Sequence, residues 1–268
     1  MSNLKKALHK LLDTLLTLVV GLVPVVSGLL VMVYQLDRKL EENARVSLQE
    51  AIFAIDRSLD SLHVIASRAL PLTELTCSQA QDALQSLVAS EPQVHSLVLV
   101  KKQQGYCGTL SNAELSTSRF AEQGPNVQLN LDSPLFRNGV AVEYRVDGNK
   151  ADVVAITDDQ MLRSELRGFQ DGLVLVLQFG GNALWSDGDS YDTALPSQAE
   201  LFSRAKSSKH GYEIKVGYPE GYRALEARAS ALQIIPSLVL VGVLTSAIAY
   251  WGVFRRRKQI RPTVARSD

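Results

Sequence analysis

"VAVEYRVDGNKADVVAITDDQ", residues 140–160, decides the fold. Val140, Val142, Tyr144 and Val146 alternate with Ala141, Glu143 and Arg145, the two-residue period of a half-buried strand. Asp147-Gly148-Asn149-Lys150 has the chemistry of a tight reversal, and "ADVVAI" returns as a second apolar run. A hairpin makes the sheet antiparallel. Thr157 and Gln160 then have capping-box spacing and predict a helix to about Arg167. Upstream, "VHSLVLVK" (94–101) reads as a central strand, and "KQQG" turns it into "YCGTL". Val127, Leu129 and Leu131 alternate with Gln128 and Asn130. Downstream, "LVLVLQF" and "ALWSD" flank Gly180-Gly181, and Tyr212, Ile214, Val216 and Tyr218 alternate with Glu213, Lys215 and Gly217. The weakest order signals fall in 111–125, then in 187–210.

Helices bracket these strands. From Gln35 to Leu70, apolar residues recur at Leu36, Leu40, Ala44, Leu48, Ala51, Ile55, Leu59, Leu62, Ala66 and Ala69. These spacings of three and four make one helical face, and Pro71 stops the run. The stripe drifts from a strict heptad, so packing on its own domain is favoured over a dimer seam. "TCSQ" fits a capping box at Thr76 and opens a second helix to about Ala89, with Cys77 in its first turn. A closing helix is expected from about Gly221.

Two uncharged runs of 21 residues, Thr14 to Tyr34 and Ile234 to Phe254, are each long enough to cross a hydrocarbon core. The first is too long for a signal peptide and has no A-x-A-like site after it. Lys5, Lys6 and Lys10 precede it; Arg255, Arg256, Arg257, Lys258, Arg261 and Arg266 follow the second. Positive charge beside a span stays cytoplasmic, so both termini are expected inside and the region between the spans outside. The expected divisions are a cytoplasmic start (1–13), a span (14–34), an exported domain (35–233), a second span (234–254) and a basic tail (255–268). Formal net charge is zero overall, but residues 35–233 hold 19 Lys and Arg against 26 Asp and Glu. That acidic balance argues against nucleic acid or anionic lipid as a partner of the exported domain. A long helix, antiparallel strands and a return helix resemble PAS-like or Cache-like extracytoplasmic sensor domains, an α+β class.

Catalytic motifs are absent. The histidines His9, His63, His95 and His210 have no spacing suited to a metal, and no cofactor is expected. There is no G-x-S-x-G elbow, no P-loop and no G-x-G-x-x-G. Asp158 and Asp159 read as helix-start carboxylates that favour the dipole. The cysteines carry what chemistry there is. Cys77 and Cys107 are the chain's full complement, and two thiols in an oxidising compartment pair as a rule; two unlinked buried cysteines are the alternative. Closing a loop of this length would stabilise the fold by roughly 3–4 kcal/mol. A helix-start cysteine with a lowered pKa favours a labile bridge, but the residues alone lean towards a structural one.

The arrangement is similar to a known family. A basic start and one span lead into "LPL" and "TCSQAQDALQSLV"; "VHSLVLV" precedes "GYCGTL"; "VEYRV" and "VVAITDDQMLRSEL" come before a second span. This resembles the CSS-motif sensory domain at the front of bacterial EAL-type cyclic-di-GMP phosphodiesterases. The resemblance maps Cys-Ser-Ser onto Cys107-Gly108-Thr109, so Thr109 keeps a hydroxyl and Gly108 keeps none. It implies a periplasmic Cys77–Cys107 disulfide whose redox state regulates a cytoplasmic phosphodiesterase. It also implies an inner-membrane location, with both termini cytoplasmic and the central domain periplasmic. Glu50-Ala51-Ile52 lies in the helical stripe and is no EAL motif. A non-enzymatic sensor, subunit or truncated relative is therefore expected. Its partners would be a second copy or an EAL-type phosphodiesterase in a mixed dimer, periplasmic thiol–disulfide enzymes, and the bilayer. Gly242 and Ser246 have the small-x-x-x-small spacing of helix association in a membrane. The alternative function is a Cache-like small-ligand receptor with a structural disulfide, its pocket lined by Tyr144, Trp185, Tyr212 and Tyr218.

Overall fold

The 140–160 stretch forms the expected hairpin. In the computed structural model, which describes residues 2–111, 114–115, 120, 126–136, 139–169, 172–191 and 194–259, β4 is Ala141–Val146 and β5 is Asp152–Asp158. Most of 111–125 and the basic residues Arg261 and Arg266 lie outside the described residues. So do the side chains of Lys5, Lys6, Lys10, Arg255, Arg256, Arg257 and Lys258.

The long helix α1 runs unbroken from Ser2 to Ala69, and a 3-10 turn, Leu70–Glu74, follows where Pro71 removes a backbone donor. Helix α2 is Cys77–Ser90, and its Thr76–Gln79 capping box forms as the spacing predicts. Strands β1 (Ser96–Lys101), β2 (Gln104–Gly108) and β3 (Val127–Asn130) precede the hairpin. Lys102 and Gln103 make the β1–β2 turn, both at positive φ, the geometry that matches strand twist in a two-residue reversal. Helix α3 is Gln160–Arg167. Then come β6 (Val174–Phe179), β7 (Asn182–Trp185), β8 (Gly188–Asp189), β9 (Glu200–Lys206), β10 (Glu213–Tyr218) and helix α4 (Tyr222–Gln259).

The strands divide into two five-stranded antiparallel sheets rather than one, in the orders β2-β1-β5-β4-β3 and β8-β7-β6-β10-β9. In each, the first strand pairs with both the second and the last, so the two halves repeat one plan. This is an α+β fold built on antiparallel sheets, as the sequence predicts. The described residues form two compact units, one of residues 41–220 and one of residues 2–40 with 221–259, which is helical.

Within the 41–220 unit the α1 stripe packs on its own domain. Ile55, Leu59, Leu62, Ala66 and Ala69 are fully buried, and Ala44 and Leu48 nearly so. Burying each Leu or Ile contributes roughly 1.5–3 kcal/mol. The capping box expected at Thr157 does not form. Thr157 still belongs to β5 and donates its hydroxyl to the Gln93 carbonyl, and Asp159 stands at the start of α3 instead.

Thr14–Glu74 and Tyr222–Gly252 mark helices long and apolar enough to cross a membrane. Their backbones approach closely: a Cβ on Gly242 would lie 2.7 Å from the Gly21 carbonyl oxygen. Ser246 Oγ donates to the Thr17 carbonyl at 3.1 Å. Gly242 and Ser246 thus face the first apolar helix of their own chain. Arg223 forks onto both oxygens of Asp37, at 3.0 and 2.6 Å.

Candidate functional site

The capping box starts α2 at Cys77, and the β1–β2 hairpin brings Cys107 back beside it. The two are bonded, with their Cα atoms 5.4 Å apart, inside the window a disulfide spans. No free cysteine remains. Cys107 is fully buried on β2 opposite Leu99, whereas Cys77 is half-buried at the helix start. Gln81, one turn along α2, places its amide oxygen 3.7 Å from Cys77 Sγ and 3.8 Å from Cys107 Sγ. Its Nε2 donates to the Gly108 carbonyl at 3.0 Å.

Gly108 and Thr109 explain the departure from Cys-Ser-Ser. A Cβ at 108 would stand 2.7 Å from the Leu97 carbonyl oxygen, so the close pairing of β2 on β1 leaves no room for a side chain there. Thr109 Oγ1 accepts from the Leu97 backbone N–H at 3.1 Å and shares a 2.9 Å hydrogen bond with Ser96 Oγ. The retained hydroxyl therefore pins the end of β2 to β1.

A second set of contacts, not legible in the sequence, gathers on α1. Asp56, Asp60 and His63 share one helical face by spacing of four and three. Asp56 accepts from Ser207 Oγ at 2.7 Å and from the Tyr212 hydroxyl at 2.8 Å. Asp60 accepts from Lys209 Nζ at 2.8 Å and from His210 Nε2 at 3.0 Å. Those donors, Lys209 first, hold the Asp60 carboxyl below the usual carboxylate range. Asp60 as a carboxylate can only accept, so His210 Nε2 donates to it, and His210 Nδ1 shares a hydrogen bond with the Tyr144 hydroxyl, 3.2 Å away. His63 Nδ1 shares a further hydrogen bond with the same phenol group at 3.3 Å. Burial, then the nearby carboxylates, pushes the Tyr144 and Tyr212 hydroxyls up.

Asp159 also does more than favour a helix dipole. It is fully buried and paired with Arg163, which also reaches Asp189 at 3.2 Å and the carbonyls of Trp185 and Gly188 at 2.9 and 2.8 Å. This cluster fastens α3 to the β7–β8 hairpin. Among the described residues no group of three or more His, Cys, Asp or Glu could hold a metal. All four candidate pocket aromatics are buried: Tyr144 lies on the first sheet, Trp185 and Tyr218 on the second, and Tyr212 just before β10. None of them lines the open groove formed by Asn126 and residues 206–211.

No curated protein matches the sequence significantly. Solved structures with a similar fold include an extracellular ligand binding receptor from Desulfohalobium retbaense (12% identity, TM-score 0.48), matched over 65% of this chain. This chain spans only 40% of that receptor's length. Others are the sensor domain of the V. cholerae histidine kinase DctB (13%, TM-score 0.45, 70% of this chain and 98% of that one). The ligand-binding domain of the Pseudomonas fluorescens chemoreceptor CtaA in complex with L-alanine also matches (12%, TM-score 0.45, 71% and 99%). The family description "CSS motif domain associated with EAL" matches residues 40–229, which takes in both cysteines, both sheets and residues 40–69 of α1. The chain belongs to the CSS-motif domain family.

Proposed function

We propose that this chain is a non-enzymatic, membrane-anchored periplasmic redox-sensing module that feeds cyclic-di-GMP phosphodiesterase signalling through the Cys77–Cys107 disulfide. The observation that carries it is the placement of the bridge. It ties the first residue of α2 to β2, and α2 packs against the 3-10 turn that ends α1. Breaking the bridge frees α2 from the sheet, removing a constraint of roughly 3–4 kcal/mol. The end of α1 would respond, and α1 is the helix that continues into the first apolar span. A switch requires that the two redox states differ in conformation at that helix. The basic ends orient both termini to the cytoplasm, and the effector is reached through a second copy or a mixed dimer with an EAL-type phosphodiesterase. Periplasmic thiol–disulfide enzymes would set the redox state.

Thiol trapping in intact cells tests this reading. Free thiols are blocked with a mass-shifting alkylator before and after reduction, and cellular cyclic-di-GMP is measured in parallel. The expected result is a pair protected until reduced, with cyclic-di-GMP altered in a Cys107→Ser strain. Cysteines that react without reduction, or an unchanged cyclic-di-GMP level, would sink it.

A further inference from the structure

Cys77 and Gln81 stand one turn apart on α2, so the Gln81 side chain lies over the bridge. Its Nε2 donates to the Gly108 carbonyl, which can only accept. That bond sets which way the amide faces, so Oε1 points at the two sulfurs. In the disulfide neither sulfur carries hydrogen, and the contact is merely polar. After reduction each sulfur is a weak S–H donor with an acceptor already in place. The Cys77 carbonyl, 3.6 Å from Cys107 Sγ, is a second one. The sulfurs also differ in access, Cys107 fully buried and Cys77 half-buried.

We propose that Gln81 is the positioning residue of the cysteine pair: its amide oxygen is the standing acceptor for the reduced thiols, and exchange enters through Cys77. The inference rests on the redox reading above. A thiolate of a dithiol reductant attacks Cys77 Sγ and forms a mixed disulfide. The Cys77–Cys107 bond breaks, and its electron pair leaves on Cys107, which takes a proton from water. The reductant's second thiolate then attacks its own sulfur in the mixed disulfide and departs as a cyclic disulfide. Cys77 is released and protonated. One disulfide is reduced and one dithiol oxidised. Both new S–H groups meet Gln81 Oε1.

The test is a redox titration of the full chain in detergent with dithiothreitol, trapped with a mass-shifting alkylator, for the native chain, Gln81→Met and Gln81→Leu. Losing the acceptor destabilises the reduced state, so the midpoint moves about fivefold towards more reducing conditions. A merely structural Gln81 has the opposite sign: freeing α2 from Gly108 lowers the effective concentration of the thiols and makes the bridge easier to reduce. An unchanged midpoint, or one moved that way, overturns the role of Gln81. In the single variants, Cys77 in Cys107→Ser is expected to alkylate at least tenfold faster than Cys107 in Cys77→Ser. Equal rates overturn entry through Cys77. A fixed midpoint while Cys107→Ser still alters cyclic-di-GMP removes the Gln81 role and leaves the redox reading standing. A shifted midpoint with cyclic-di-GMP unaltered supports Gln81 and removes the redox reading.

Discussion

The two sheets of the 41–220 unit repeat one strand plan but are fastened in different ways. The first, β1–β5, has α2 bound to its edge strand by a covalent bond that chemistry can open. The second, β6–β10, is held by ionic and hydrogen-bonded contacts without sulfur: Arg163 between Asp159 and Asp189, and the 207–212 turn on Asp56 and Asp60. Helix α1 touches both halves, through Tyr144 on His63 from the first and Tyr212 on Asp56 from the second. Under the proposed function a redox signal would begin in the first sheet, with the second as the support against which α1 moves.

The largest effect should come from the support. Arg163→Met leaves Asp159 and Asp189 buried without their cation and should cost roughly 3–5 kcal/mol in urea unfolding of the full chain. The loss should be equal in oxidised and reduced protein. A loss that depends on the disulfide would break the division between the halves. Next in size is the bridge itself: Cys77→Ser or reduction should cost roughly 3–4 kcal/mol, with the second sheet still folded. Tyr212→Phe comes third, at about 1 kcal/mol, because it removes the hydroxyl that reaches Asp56 and the Ile52 carbonyl.

The smallest effect is a pH dependence in the first sheet. Burial raises the Glu143 carboxyl above its usual range, against a lesser opposing hydrogen bond from Asn130. A raised folded-state pKa means a stability contribution present below the ordinary glutamate pKa and lost as pH rises through the folded value. Glu143→Gln should therefore raise the melting temperature at pH 7 and change nothing at pH 3. A gain that persists at pH 3 would contradict burial of the charge as its cause.

Much of this was legible in the residues. The hairpin around Asp147-Gly148, the α1 stripe, the Thr76 cap and the two apolar runs all depend on near neighbours in sequence, where period and turn chemistry speak directly. The Cys77–Cys107 pairing could be inferred because no other cysteine competes for either partner. The 187–210 region was harder. Strand β9 is an edge strand, exposed on one face and half-buried on the other, so "ELFSRAK" has no apolar face to betray it. The His63–Tyr144–His210 contact joins residues 81 and 66 positions apart, a distance over which local pattern carries no information. Nothing in the neighbouring sequence sets Arg163 apart from an ordinary helix cation. Only the fold shows that it is buried, because its partners come from a hairpin more than twenty residues on.

Hydrogen exchange on the full chain in lipid nanodiscs, oxidised against reduced, tests the central claim most directly. Reduction should speed exchange in α2, in the 70–74 turn and at the 60–69 end of α1, while β6–β10 stay as protected as before. Faster exchange confined to α2 and β2, with α1 unchanged, would mean that the bridge opens without being read, and the account of it as a signalling element would be wrong.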